Sequence, residues 1–265
     1  MAQFICKNNR FVCFDTSKYA SRLANFEFDD EQRLKIMGSF DIADFASKLI
    51  IYMVVWIFAV SAHEAAHAWT SLKFGDDTAY RLGRVTLNPI PHIDPIGTLI
   101  LPIIGFLVSY GGAANFPLIA WGKPTPVNPL KWRKKDLANV CVSLAGIATN
   151  LIIATVTTII LRVLIAYNLF TTENIEKGIT APIFTLLIST IMLNVGLAVF
   201  NLLPFPPLDG SRALQSFLPK SFEPVFDLLE TYGFLILIVL MQMGIIRFIV
   251  APLQSLIISI LFYGS

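Results

Sequence analysis

The chain has 265 residues, of which 55% are hydrophobic and only 14% charged, and its mean hydropathy is +0.67. A soluble globular protein carries about 25% charged residues, so this composition excludes an ordinary soluble domain and points to a polytopic membrane protein with apolar runs of about 20 residues. The net charge of +2 gives no basic footprint for a nucleic-acid partner.

Residues 1–36 hold six Lys/Arg and five Asp/Glu without a continuous apolar core, which is not the pattern of a signal peptide. They read as a polar N-terminal extension, residues 1–40, or as residues ahead of a true start at Met37. Cys6, Cys13 and Cys141 are odd in number and lack C-x-x-C spacing, so free thiols are expected.

The first spanning helix is expected from Phe45 to Trp69, with "HEAAH" near its C-terminal end. Beyond it, the alternating "YRLGRVTL" among Gly, Pro and Asn-Pro breaks predicts a short hairpin. Ile96 to Gly112 is apolar but interrupted by Pro102 and Gly105. The basic cluster "KWRKKD" precedes a second spanning helix, Leu137 to Ile165, which contains "SLAGIATN". A polar loop then leads to a third, Pro182 to Leu203, running into "NLLPFPPLDG". Two further apolar runs, Phe226 to Met243 and Ile245 to Phe262, are expected to pack around this core, with Arg212 and Arg247 as interfacial anchors.

Residues 122–136 hold five basic residues and one acidic, whereas 167–181 hold one basic and two acidic. By the positive-inside rule the first loop is cytoplasmic and the second external. For the first and third spans to end on the cytoplasmic side, Ile96 to Gly112 must enter and return through "AANFPLIAW" as a re-entrant segment. Such irregular backbone is tolerated in a membrane only where protein or a water-filled cavity surrounds it.

His63 and His67 stand at i and i+4, one turn apart on one helix face, so both imidazoles can reach one ion. Glu64 beside them can act as general base on a water. A catalytic zinc takes three protein ligands and keeps one open position. His92, Asp76, Asp77, Asp94 and Asp209 are the candidates for the third ligand. Asp209 is the best of them, because it closes "NLLPFPPLDG" after an apolar span with no other charge. Asp76 and Asp77 read better as a solvated turn. His92 and Asp94 read better as hydrogen-bonding loop residues, and remain runners-up as ligands.

HEAAH in one membrane helix, "SLAGIATN" in a later one and N-x-x-P-x-P-x-x-D-G in a third resemble the site-2 protease family of intramembrane zinc metalloproteases. "FGDDTAYRLGRVTLNPIPHIDPIGT" and "WGKPTPVNP" are similar to a compact bacterial branch without an added regulatory domain. The likeness covers about residues 40 to 250. It implies that His63, His67 and Asp209 hold one Zn2+ per chain, that Glu64 is the general base and later proton donor, and that Asn201 binds or polarises the scissile carbonyl. Ile147 stands where family members commonly have proline, and Ser211 where they often have glycine.

The expected fold is an all-α polytopic membrane protein. About five spanning helices surround a three-helix catalytic core, with a re-entrant segment and a short cytoplasmic β-hairpin. A metalloprotease domain would cover 41–265, with a catalytic core at 45–217 and a C-terminal helical hairpin at 223–263. The partners implied are a transmembrane protein substrate and the bilayer of the cell (inner) membrane, with the site toward the cytoplasm. The competing readings are a membrane metal-ion transporter, since intramembrane ionisable groups also line ion paths, and a catalytically idle metal-binding scaffold.

Overall fold

A computed structural model describes residues 42–110, 120–170 and 178–262. The described residues are helical, with no strand. Two 32-residue helices, α1 (Ile42–Lys73) and α4 (Lys135–Ala166), pack on each other and on α5 (Thr180–Leu202). Between α1 and α4 lie the single turn α2 (Thr78–Arg81), a π-helical stretch Pro95–Ile100 and the short α3 (Leu101–Tyr110). After α5 come α6 (Asp209–Gln215), α7 (Glu223–Gln242) and α8 (Ile245–Leu261).

By length and composition α1, α4, α5 and α7 can each cross a membrane, whereas α8, at 17 residues, and the Pro95–Ser109 stretch are shorter. Their outward faces are apolar: Ile50, Val54 and Phe58 on α1 and Ile152, Val156 and Ile159 on α4 are exposed. An apolar face of that extent has lipid as its natural solvent. Thr155, Thr158, Thr185 and Thr190 donate their hydroxyls to carbonyls one turn back, which satisfies them within their own helices.

The core between α4, α5 and α8 is built on Leu161, Phe184, Ile191, Val195 and Ile258. α3 rests on the N-terminal half of α1, with Phe106 stacked on Tyr52 at 5.5 Å between ring centroids. α7 packs on the 203–208 turn, where Leu237 meets Leu203 and Leu208, and on α8 through Ile246. There Gly233 lies directly under the Pro206 carbonyl, where a Cβ would collide with backbone.

The hairpin expected over residues 80–87 does not form. Arg81 and Arg84 donate their amides to the Asp77 and Ala79 carbonyls, and Gly83, at φ +67°, closes the turn. Tyr80, Leu82 and Leu87 are all exposed. A strand's period of two has value only when its apolar face is covered, and these side chains are not. Of the segment expected to be re-entrant, Pro95–Tyr110 is helical, while 111–119 falls outside the described residues.

The solvated turn expected at Asp76 and Asp77 is half right. Asp77 is bound at the surface by Lys131 at 2.7 Å and Arg81 at 2.6 Å, which hold its carboxyl below the usual range. Asp76 is completely buried. Its Oδ2 accepts from Ser71 Oγ and the Asn128 amide, and its Oδ1 from the Thr78 amide and hydroxyl. Trp132 Nε1 donates to Ser71 Oγ at 2.8 Å, so one carboxylate ties the end of α1 to the segment before α4.

Burial opposes the charge on Asp76, but the Asn128, Thr78 and Ser71 donors outweigh it and hold the carboxyl below its ordinary value. A depressed folded-state pKa gives stability that is present above the unfolded value, about pH 4, and is lost as pH falls through the folded one. Asp76→Asn is therefore expected to lower Tm at pH 7, with a cost of about 2 kcal/mol for the lost charge-assisted bonds. The gap in Tm between the two proteins should close on acidification below about pH 4. Thermal melts in detergent from pH 7 to pH 3 check this, and a constant gap would contradict it.

Candidate metal centre

His63, Glu64 and His67 lie in the last three turns of α1. The imidazoles of His63 and His67 are 4.7 Å apart at 77°, one above the other as the i, i+4 spacing requires. His67 Nδ1 lies 2.7 Å from the Val142 carbonyl of α4. A carbonyl only accepts, so Nδ1 carries a proton and Nε2 is the nitrogen left for a metal. His67 Nε2 lies 3.2 Å from Asp209 Oδ2, and His63 Nε2 lies 3.0 Å from the same oxygen.

Two glycines make this convergence possible. The His63 ring lies against Gly146 of α4, where a Cβ would overlap the imidazole. Gly210, in the first turn of α6, lies under the Leu202 carbonyl, where a Cβ would again collide with backbone. The start of α6, which carries Asp209, can thus fold back against the end of α5. Burial alone would raise the Asp209 carboxyl, but the His67 and His63 imidazoles beside it prevail and hold it below the usual carboxylate range.

Among the described residues, His63, His67 and Asp209 form the group of possible metal ligands, with donor atoms within 4.8 Å of one another. A four-coordinate ion with ligand bonds of about 2.0–2.2 Å separates its ligand atoms by roughly 3.4 Å. The nitrogen–oxygen distances here are within a few tenths of an ångström of that. Two imidazoles and one carboxylate suit a borderline divalent cation and leave its fourth position for water.

The runner-up ligands lie elsewhere. His92 is fully buried with Nε2 on the Thr86 carbonyl at 2.9 Å. Asp94 Oδ1 accepts from the amides of Ile96 and Gly97 and caps the π-helical stretch.

A cavity of about 750 Å³ opens over the three residues, lined also by Glu64, Asn201 and Arg212. Its apolar wall includes Phe200, Phe234, Leu237 and Met241, the last three from α7. Trp121 meets Phe234 edge to face at 5.7 Å across its side. Glu64 does not point into this space unconstrained, because its Oε2 accepts from the Thr125 amide at 2.8 Å while the Thr125 hydroxyl donates to the Glu64 carbonyl. Asn201 lines the cavity with Nδ2 donating to Leu197 one turn back.

Three residues around the site were not anticipated. Arg212, expected as an interfacial anchor, lines the cavity instead, since the short α6 turns it to the same side as Asp209. Thr125 had a visible signal, being the sole amide donor in "PTP". Gly146 stood in a quoted motif, but its use depends on where α1 packs.

The segment 120–125 also has a direction. Trp121 and Lys123 donate their amides to Gly97 and His92, and their carbonyls accept from Thr98 Oγ1 and Arg84. Inward bonds on alternate residues are those of an extended chain. Gly122 and Pro124, which line the cavity, alternate with them.

Comparison with known proteins bears on what such a centre does. The model of a family described as "Peptidase family M50" matches residues 50–243. A protein of Bacillus subtilis (strain 168), "Putative zinc metalloprotease YwhC", is 36% identical over 208 residues, 78% of this chain and 87% of the relative. Two mycobacterial proteins named "Putative zinc metalloprotease Rip2" are also similar. That of Mycolicibacterium smegmatis is 31% identical, over 72% of this chain and 66% of its own length. That of Mycobacterium tuberculosis (strain H37Rv) is 27% identical, over 74% and 68%. No solved structure matches the chain.

Proposed function

The chain belongs to peptidase family M50, and on that premise we propose that it is an intramembrane zinc metalloprotease that hydrolyses peptide bonds in or near transmembrane segments of membrane proteins. The observation that carries this reading is the meeting of His63, His67 and Asp209 beside Glu64 at the mouth of a cavity walled by apolar side chains. In this reading His63, His67 and Asp209 hold one zinc ion. When bound, zinc supplies a Lewis acid that brings the pKa of a water toward 7 and polarises a carbonyl oxygen.

The remaining steps fall to the chain's own residues. Thr125 fixes Oε2 of Glu64 and leaves Oε1 for the water. Glu64 takes one proton as the water oxygen bonds to the carbonyl carbon, and returns it to the amide nitrogen as the C–N bond breaks. Asn201 turns its Nδ2 from the Leu197 carbonyl to the oxygen on which negative charge gathers. A substrate helix must first unwind, because its own hydrogen bonds cover the scissile amide. The Gly122 edge of the extended 120–125 segment is suited to pairing with the unwound chain. The "YRLGRVTL" stretch forms no strand and offers no such edge.

The protease domain is assigned to 41–265, with the catalytic core at 45–217 and α7 and α8 as the C-terminal hairpin, 223–263. α8 completes a fifth crossing with the help of interfacial residues, and the site lies toward the cytoplasmic face of the cell membrane.

Purified protein in proteoliposomes with a model transmembrane peptide tests the function. Cleavage should require zinc, stop on chelation and return on zinc addition, with no zinc flux across the bilayer. Flux without cleavage would favour the transporter and overturn the proposal. In the same vesicles a cysteine placed at Lys131 should react with an impermeant thiol reagent from the side on which the soluble product is released.

A further inference from the structure

Histidine ligands need their second ring nitrogen satisfied. His67 meets this need through Val142, but His63 Nδ1 is buried with no hydrogen-bond partner among the described residues. The same is true of both amide atoms of Asn150, which is wholly buried in α4. Burying a primary amide in a helix interface is costly without a partner, so a reason for it is required.

The packing register places the two orphans together. His67 sits on Val142 and His63 on Gly146, so α1 and α4 run antiparallel with matched four-residue steps. One step further, the same register sets Asn150 opposite Ala59, which is fully buried and small enough to leave room for an amide. In a helix the Cα–Cβ bond leans toward the N-terminus. In this antiparallel pair, Asn150 therefore leans back toward Gly146 and His63 leans up toward Ala59. One helical turn is about 5.4 Å, which is the span of two hydrogen bonds of about 2.8 Å through a single water.

We infer that Asn150 is a positioning residue of the metal centre, its Oδ1 accepting from His63 Nδ1–H across one buried water. The bridge fixes the tautomer that turns the Nε2 lone pair toward the ligand position and strengthens it as a donor. The water has three polar neighbours, His63 Nδ1 and the two amide atoms of Asn150, as a buried water needs. Asn150 touches neither substrate nor metal. The inference rests on the metal reading given above.

The test is the zinc affinity of the full-length protein in detergent, measured by competition with a chromophoric chelator, alongside the Tm of the zinc-free form. Asn150→Leu should remain folded when zinc-free, since it replaces a buried amide and its water by a hydrocarbon of similar size. It should bind zinc about 10–100-fold more weakly. Asn150→Ala, which removes the amide without adding bulk, should show the same loss and serves if the leucine variant does not fold. Asn150→Asp keeps the acceptor and should bind within about threefold of wild type, in line with the carboxylate–histidine–metal arrangement. Wild-type affinity in Asn150→Leu or Asn150→Ala, or a loss in Asn150→Asp equal to theirs, overturns the inference while leaving the metal reading intact. A wild-type chain that takes up no zinc, or one that His67→Ala leaves unaffected, overturns both.

Discussion

Glu64→Gln should abolish cleavage, with a loss of about 10³-fold or more, while zinc content and Tm stay at wild-type levels. Proton transfer by a positioned base accounts for about 10²–10⁴-fold in rate, and a neutral amide cannot accept the water's proton. The substitution is otherwise nearly silent, because a glutamine carbonyl still accepts from the Thr125 amide that now holds Oε2 at 2.8 Å. The loop therefore stays in place, and the group of possible ligands does not include Glu64. Rates on a transmembrane peptide, paired with metal analysis of the same samples, separate the two properties. A variant that cuts at the wild-type rate would remove Glu64 from the mechanism.

Gly146→Ala is expected to act on the metal itself. The added Cβ would sit 2.5 Å from His63 Nε2 and 2.6 Å from Nδ1, against an ordinary contact of about 3.5–4.0 Å. The ring must then retreat by about 1 Å, a misplacement that costs on the order of 10²-fold in rate. Zinc affinity should fall with it. Intrinsic helix propensity pulls the other way, since alanine is favoured over glycine in a helix by up to about 1 kcal/mol, so the zinc-free variant is not expected to unfold. Gly196→Ala is the control, because its Cβ would meet only Gln254 Nε2, at an ordinary 3.5 Å. Equal zinc affinity in the two variants would show that the glycine is not the seat of the ring.

The helices were legible because their signal is local. An apolar run of bilayer length reads the same whatever it packs against, and α1, α4 and α5 follow the predicted spans closely. His63, His67 and Glu64 were legible for a similar reason, since i, i+4 spacing is fixed by the helix. Asp209 could be singled out because it closes a motif directly after an apolar span with no other charge; its approach to His63 comes from packing.

What failed was the reading of "KFGDDTAYRLGRVTL". Alternation there suggested strands, yet local turns took up the amides, and Asp76 went inside because Ser71, Thr78 and Asn128 converge on it. Burial of a single carboxylate depends on donors 5, 2 and 52 residues away, and no local pattern records the last of these. Gly146 was visible as a letter, but its purpose appears only once a ring is found lying on it.

His63 and Asp209 are separated by 146 residues of chain. A ribosome adding about 5–20 residues per second finishes the HEAAH helix roughly 7–30 s before it delivers the aspartate. Throughout that interval the nascent chain holds a base and two imidazoles but lacks the carboxylate that closes the set. A chain stalled or truncated before α6 is then expected to be inert toward its membrane neighbours, so competence to cut arrives only once the aspartate has been added.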